Sequence, residues 1–392
     1  MAMMSRSAFP VFPGLFSPAD GGSGWSPEPG ALRAVNRVVD EVRRGAVAGL
    51  KDAAHNKAVG VLAIEAAGGD PLAAFAASLG GRPRLALTGR RAAVLGLWHT
   101  EEGDEPPKVV VVEGDIAAIA QLCLRAADPL VMRAPLPHGI AVRAVAPDGL
   151  DAAAVHLMKR ARLMPAAAVV DVVAASDDAR LLWAEAADVL HHEHLLALSL
   201  QPVSRAHVPL ADAVETQVIA FRPSDGGIEH LALVIGTPDH GKPVLTRLHS
   251  ECFTGDLLGS LRCDCGDQLR GAIKEIAETG AGILLYMAQE GRGIGLVNKL
   301  RAYDLQDAGF DTMEANEQLG FDDDERIYLP AAAMLRQLGF LEVRLLTNNP
   351  AKVEALSRHG VTVVERVPHV FPSNSHNRDY LETKRIKGGH LF

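Results

Sequence analysis

At 392 residues the chain is longer than one typical domain, and about two or three are expected. A formal charge of −9 argues against a general nucleic-acid coat but leaves room for a local basic pocket that takes a small anionic ligand. No run approaches about eighteen apolar residues without a charge, which excludes a membrane-spanning helix. Four cysteines, three of them clustered, are not a disulfide framework, so a reducing cytoplasm is the expected compartment.

Residues 1–30, rich in Gly, Ser and Pro and without a long apolar core, read as a disordered arm and not as a secretory signal. From Ala31 to Arg44 apolar residues recur at helical spacing with charges between them, which predicts a helix. The short apolar runs at Val59–Glu65, Arg84–Thr88 and Lys108–Glu113 predict buried strands, and Pro71–Ser78 and Ile116–Ala127 predict helices. A mixed α/β domain follows. It is poor in chemistry: His55, His99, His138 and His156 are scattered, Cys123 sits in an apolar run and reads as core, and His191, His192 and His194 read as a solvated helix face.

Leu200 to Leu210 is Pro-containing and weakly periodic, and it reads as a junction that places a second domain from about residue 206 to 392. Ala220–Pro223, Glu229–Gly236 and Pro243–Ser250 read as strands leading to Cys252, Cys263 and Cys265, in the spacing C-x10-C-x-C. Three thiolates bind zinc and leave a fourth tetrahedral position free, the arrangement of a catalytic site; no fourth ligand in finger or ribbon spacing follows. A helix then starts just after Cys265, with Asp267 in its first turn. Gly282–Met287 predicts a strand that enters the turn Gly291-Arg292-Gly293-Ile294-Gly295, where backbone N–H groups and Arg292 suit a phosphate. Asp322 to Arg326 is a dense acidic patch, which alone reads as a solvated loop capping a helix from Pro330. Val343–Leu346 reads as a strand ending in the polar turn Thr347-Asn348-Asn349, with Pro350 opening a helix.

Taken together, Arg247-Leu-His-Ser-Glu-Cys-Phe-Thr-Gly-Asp, Leu261-Arg-Cys-Asp-Cys-Gly, Gln289-Glu-Gly-Arg-Gly-Ile-Gly-Leu, Lys299-Leu-Arg-Ala-Tyr-Asp, Leu346-Thr-Asn-Asn-Pro and Gly388-Gly-His-Leu make residues 206–392 resemble GTP cyclohydrolase II. Residues 31–205 resemble a degraded 3,4-dihydroxy-2-butanone 4-phosphate synthase domain. There the family's Gly-His-Thr-Glu motif reads Gly149-Leu150-Asp151-Ala152, and its acidic loop reads Lys51 to Gly60. Leucine cannot bind Mg²⁺ and alanine cannot move a proton, so this domain is expected to lack synthase activity.

The resemblance implies a two-domain α/β enzyme, hydrolysing GTP to formate, pyrophosphate and a diaminopyrimidinone ribosyl phosphate on the way to riboflavin. It implies one zinc ion per chain on Cys252, Cys263 and Cys265, Mg²⁺ with the triphosphate, and a cytoplasmic homodimer with no nucleic-acid or membrane partner. Its catalytic residues fall on Tyr303, Asp324 and Arg326, the arginine as nucleophile and the aspartate as its proton acceptor. Its GTP contacts fall on Arg247, Leu248, His249, Ser250, Glu251, Gln268, Glu290, Gly291, Arg292, Thr312, Thr347 and Lys352. A carboxylate such as Glu290 could accept the N1–H and 2-amino edge of guanine. Departures are mild: Phe253 stands where leucine is usual, and Ile327 where an acidic residue is common. The competing readings are a related enzyme acting on another nucleotide or in pyrimidine catabolism, and a non-catalytic regulatory or scaffold protein.

Overall fold

A computed structural model describes residues 30–101, 104–131, 134–172 and 181–372. The Gly388-Gly-His-Leu motif and residues 1–29 of the expected arm lie outside them. The first half runs α1 (Ala31–Arg43), β1 (Ala48–Asp52), β2 (Lys57–Ala63), α2 (Asp70–Leu79), β3 (Arg84–Thr88), α3 (Gly89–Val94), β4 (Val109–Glu113), α4 (Ile116–Ala127), β5 (Ala141–Ala144), α5 (Leu150–Arg160), β6 (Ala166–Asp171), β7 (Trp183–Glu185), α6 (Ala186–Leu190) and α7 (His192–Ser199). The second half runs β8 (Gln201–His207), β9 (Thr216–Arg222), β10 (His230–Ile235), β11 (Val244–Ser250), α8 (Cys265–Thr279), β12 (Gly282–Met287), α9 (Leu296–Asp307), α10 (Thr312–Leu319), α11 (Leu329–Gln337), β13 (Glu342–Leu346), α12 (Pro350–Arg358) and β14 (Thr362–Val367).

The mixed α/β class with two sheets is as expected. The first sheet has the order β5-β4-β3-β6-β2-β1-β7, antiparallel apart from the β1–β7 pair. Period-two alternation splits its valine run between two cores. Val110 and Val112 face one layer of helices, and Val109 and Val111 face the other. On α1, Val35, Val38, Val39 and Val42 are buried, as their helical spacing requires.

The second sheet has the order β14-β13-β11-β12-β10-β9-β8. Its strands β14, β13, β11 and β12 are parallel, so β11, β12 and β13 all end on one edge. Ligand sites in open α/β sheets lie outside such carboxyl ends. The cysteine segment, the glycine turn and the Thr347 turn leave from these three ends.

Several expectations are corrected. The stretch read as a junction is strand β8, an edge strand of the second sheet; it is largely exposed, which hid its period. Lys51 to Gly60, standing where the family has its acidic loop, makes most of the β1–β2 hairpin, turning near Asn56. His192 is not on a solvated face: α6 and α7 break at His191, and the buried His192 ring meets Asn36 Oδ1 at 3.2 Å. The acidic patch is not merely solvated either. Asp322 pairs with Arg90, and Glu325 with Lys159, both from the first half. The halves also share apolar interior, because Ile294, Ala302, Leu305, Ala315, Leu319 and Phe321 belong to the same core as Leu87, Leu122 and Met164.

Candidate active site

After β11 the chain turns through a short π-helical segment, Phe253–Leu257, and returns at Cys263 to start α8 at Cys265. The three sulfurs lie within 4.8 Å of one another, and Cys252 Sγ is 3.7 Å from Cys263 Sγ. A tetrahedral zinc with Zn–S bonds of about 2.3 Å sets its sulfurs about 3.8 Å apart. The triad therefore fits that ion. Gly255 lies against it so closely that a Cβ there would stand 2.8 Å from Cys263 Sγ and 3.0 Å from Cys252 Sγ.

Asp256 ties this segment down. Its carboxylate accepts from the Cys252 N–H at 3.0 Å and the Tyr286 hydroxyl at 2.9 Å, and His249 Nε2 lies 3.0 Å away. Lys299 does the same from α9, with Nζ 3.1 Å from Cys252 Sγ, 2.9 Å from Thr254 Oγ1 and 2.9 Å from Glu290 Oε1. Hydrogen bonds from Cys263 and Cys265, with help from the Lys299 ammonium, hold the Cys252 thiol far below its ordinary pKa. Its hydrogen bonds in turn push Cys263 up to about 11 and Cys265 well above the usual thiol value. A bound divalent cation would favour the thiolate at all three. Burial lowers the Lys299 pKa, but the charges of Cys252 and Glu290 outweigh it and the net shift is upward, so the ammonium persists.

Tyr303 follows Lys299 by one helical turn. Its hydroxyl is 3.4 Å from Thr254 Oγ1, its ring lies under the Arg262 guanidinium at 5.0 Å, and burial raises its pKa.

The opposite wall is cationic. Arg247, buried in β11, donates to Leu346 O at 2.9 Å and to Gln268 Oε1 at 2.5 Å, and burial lowers its pKa to about 10. Lys352 Nζ, from the first turn of α12, donates to Leu248 O at 2.8 Å. Arg292 stands in the glycine turn at φ 58° and donates to Asp323 O at 3.2 Å. Arg326 is gripped by Asp324 in a fork, Nε to Oδ1 at 2.7 Å and a terminal nitrogen to Oδ2 at 2.5 Å. Burial works against ionisation of Asp324, but the Arg326 charge outweighs it and holds the carboxyl below its usual range.

Along 92% of its length the chain is 48% identical, over 378 residues, to the GTP cyclohydrolase-2 of Azospirillum brasilense, of which it covers 94%. The chain belongs to the GTP cyclohydrolase II family. The GTP cyclohydrolase II family model matches residues 201–368. The GTP cyclohydrolase-2 of Pseudomonas paraeruginosa is 59% identical over 172 residues, 44% of this chain and 84% of that relative. Among solved structures, a two-domain 3,4-dihydroxy-2-butanone 4-phosphate synthase from A. baumannii is 16% identical, with a TM-score of 0.34 over 85% of this chain and 99% of that one.

One cleft gathers the residues that the family resemblance nominated. Cys252, Cys263, Cys265, Tyr303 and Arg326 line it, with Arg247, His249, Ser250, Glu251, Gln268, Glu290, Gly291, Arg292, Thr312, Thr347 and Lys352. Leu248 and Asp324 do not. Leu248 points into the core of the second sheet and offers only its carbonyl, to Lys352; Asp324 stands behind Arg326.

Of the glycine turn, Gly291, Arg292 and Ile294 line the cleft, while Gly295 is packed against Arg162 of the first half, so closely that a Cβ on Gly295 would stand 2.8 Å from Arg162 Cδ. Glu290, 3% exposed, already accepts from Phe253 N at 2.5 Å, Gly291 N at 2.8 Å and Lys299. Glu251, by contrast, is half-buried in the cleft; burial and then the Glu290 charge raise its pKa.

Sequence reasoning gave no role to Asp256, Lys299, Asn348 or Asn349. The signal for Lys299 was present, since i and i+4 on a helix share a face and Tyr303 was already singled out. Asp256 had no such signal, because its partners His249 and Tyr286 come from two strands adjacent only in the sheet.

Proposed function

We propose that the chain is a zinc-dependent GTP cyclohydrolase II that releases formate and pyrophosphate from GTP and leaves a diaminopyrimidinone ribosyl phosphate, the first step towards riboflavin. The observation that carries this reading is the sulfur triad, spaced for a tetrahedral cation, in the same cleft as Arg247, Arg292, Arg326 and Lys352. Zinc on Cys252, Cys263 and Cys265 supplies, when bound, a Lewis acid with one open position.

Around it the chain's own residues divide the work. Asp256 and Lys299 fix the cysteine segment, while Tyr303 presents a neutral hydroxyl that can pass a proton as the imidazole ring of the base opens. Glu251 has acceptor oxygens available for the N1–H and 2-amino edge of guanine, a role that Glu290 can less well fill while it holds Phe253, Gly291 and Lys299. Arg292 and Lys352 address the phosphates, whose charge Mg²⁺ bound with the triphosphate would help to neutralise. Arg326 meets the α-phosphate, and Asp324 orients it and can accept the proton that a guanidine nucleophile must lose.

The first half is proposed to have no synthase activity. Asp151, in the degraded motif, is spent on Arg84 at 2.7 Å, and Ala152 is buried. The homodimer and the cytoplasmic location remain part of this reading; among the described residues no helix is long and apolar enough to cross a membrane.

The purified chain, given GTP, Mg²⁺ and zinc, should release formate and pyrophosphate together and form the pyrimidine chromophore. Cys263→Ser should bind no zinc and release no formate; formate release by that variant would remove the metal mechanism. Ribulose 5-phosphate should yield no dihydroxybutanone phosphate.

A further inference from the structure

The end of α5 and the turn after it reach from the first half to Glu325 and Gly295, chain neighbours of Arg326 and Ile294, which line the cleft in the second. Lys159 Nζ donates to Glu325 Oε1 at 2.6 Å, with side chains only 14% and 17% exposed. Three residues on, Arg162 adopts φ 59°, a left-handed conformation that costs a non-glycine residue energy. It is held there by Asn298 of α9, whose Nδ2 donates to Arg162 O at 3.0 Å, and it packs on Gly295.

Glu325 lies between Asp324 and Arg326 in the chain. Its N–H donates to Arg292 O at 3.0 Å, and its carboxylate also accepts from Asp322 N at 2.9 Å. Its backbone abuts Gly293 so closely that a Cβ on Gly293 would lie 2.6 Å from Glu325 O. One lysine thus steadies the side chain of the residue whose backbone joins the Asp324–Arg326 segment to the glycine turn. Neighbouring first-half contacts brace the same segment: Thr88 Oγ1 donates to Gly320 O at 2.7 Å, Arg90 Nε to Asp322 Oδ1 at 2.9 Å, and the buried Arg91 to Gln318 O.

We propose that Lys159 is a positioning residue for the Asp324–Arg326 pair, so that the first half, without touching substrate, sets the rate of chemistry in the second. The proposal rests on the GTP cyclohydrolase reading of the cleft. Removing the ammonium takes from the mostly buried Glu325 carboxylate its closest cation and leaves it the Asp322 N–H and the Arg160 charge, which favours loosening of the segment towards water. A group misplaced by a fraction of an ångström at a reacting phosphate loses rate.

The test uses the zinc-loaded full chain and three variants: Lys159→Met, Lys159→Arg and Lys159→Met/Glu325→Gln. Lys159→Met should lower kcat for formate and pyrophosphate together by about tenfold, with KM and zinc content near those of the parent. The arginine variant, which keeps the charge, and the double variant, which removes the stranded carboxylate, should each regain most of that loss. Hydrogen exchange at the amides of Glu325 and Ile327 should quicken in Lys159→Met and recover with the activity. An unchanged kcat and unchanged exchange would overturn the proposal, as would a loss of rate that neither second variant restores. If the parent released no formate from GTP, the cyclohydrolase reading would fail by itself, and the exchange measurement would still decide whether Lys159 holds the segment.

Discussion

Substituting Gly255 by alanine tests the metal centre without removing a ligand. The added Cβ would lie 2.8 Å from Cys263 Sγ, 3.0 Å from Cys252 Sγ and 3.0 Å from Cys265 Cβ. Non-bonded heavy atoms settle at about 3.5–4.0 Å, so each neighbour must yield by roughly half an ångström or more. Metal–ligand distances tolerate only about 0.2 Å, which leaves the triad unable to absorb the shift while holding zinc. Overpacking of this kind costs about 1–3 kcal/mol, equivalent to about 5- to 150-fold weaker zinc binding. Competition with a chromogenic chelator measures the affinity, and metal analysis gives the stoichiometry. Gly149→Ala is the control, since the nearest atom to its Cβ is 3.7 Å away. A Gly255→Ala protein that binds zinc within about twofold of the parent would refute the fit of the ion to these sulfurs.

Arg326→Ala should abolish pyrophosphate and formate release together if guanidine attack comes first, with a loss of at least about 10² in kcat; unchanged formate release would place the residue off the committed path. Burial holds His156 and His230 down to about 4 and His192 to about 3. Their folded pKa values lie below the unfolded value of about 6.5, so the unfolded chain takes up protons first and stability falls as pH drops from about 6.5 towards 4, by on the order of 3 kcal/mol for each. Thermal melts across that window check this, and a flat melting temperature would contradict it. Phe321→Ala, at a side chain 1% exposed in the shared core, should cost about 3–5 kcal/mol and lower the urea midpoint read by Trp98, which packs on that core. A second-half transition that left the Trp98 signal unmoved would show that the halves unfold independently.

Local pattern in the sequence was enough for the elements whose signal is local. The helix from Ala31 and the strand pair around Arg84 and Val109 appear within a residue or two of their expected bounds, because apolar period and burial agree there. Strand β8 was missed because it is mostly exposed and carries little apolar period. The meeting of the three cysteines was also legible, since three thiols within a short span of chain can meet through one turn.

What only the tertiary structure decided is who holds these groups. His249, Asp256 and Tyr286 meet because two strands are neighbours in the sheet, and Lys159 meets Glu325 across 166 residues of chain. No periodicity encodes such pairs. The reactive residue types were written in the sequence, whereas their contacts with the first half follow from how the two halves share a core, a matter of non-local packing that composition and spacing do not carry.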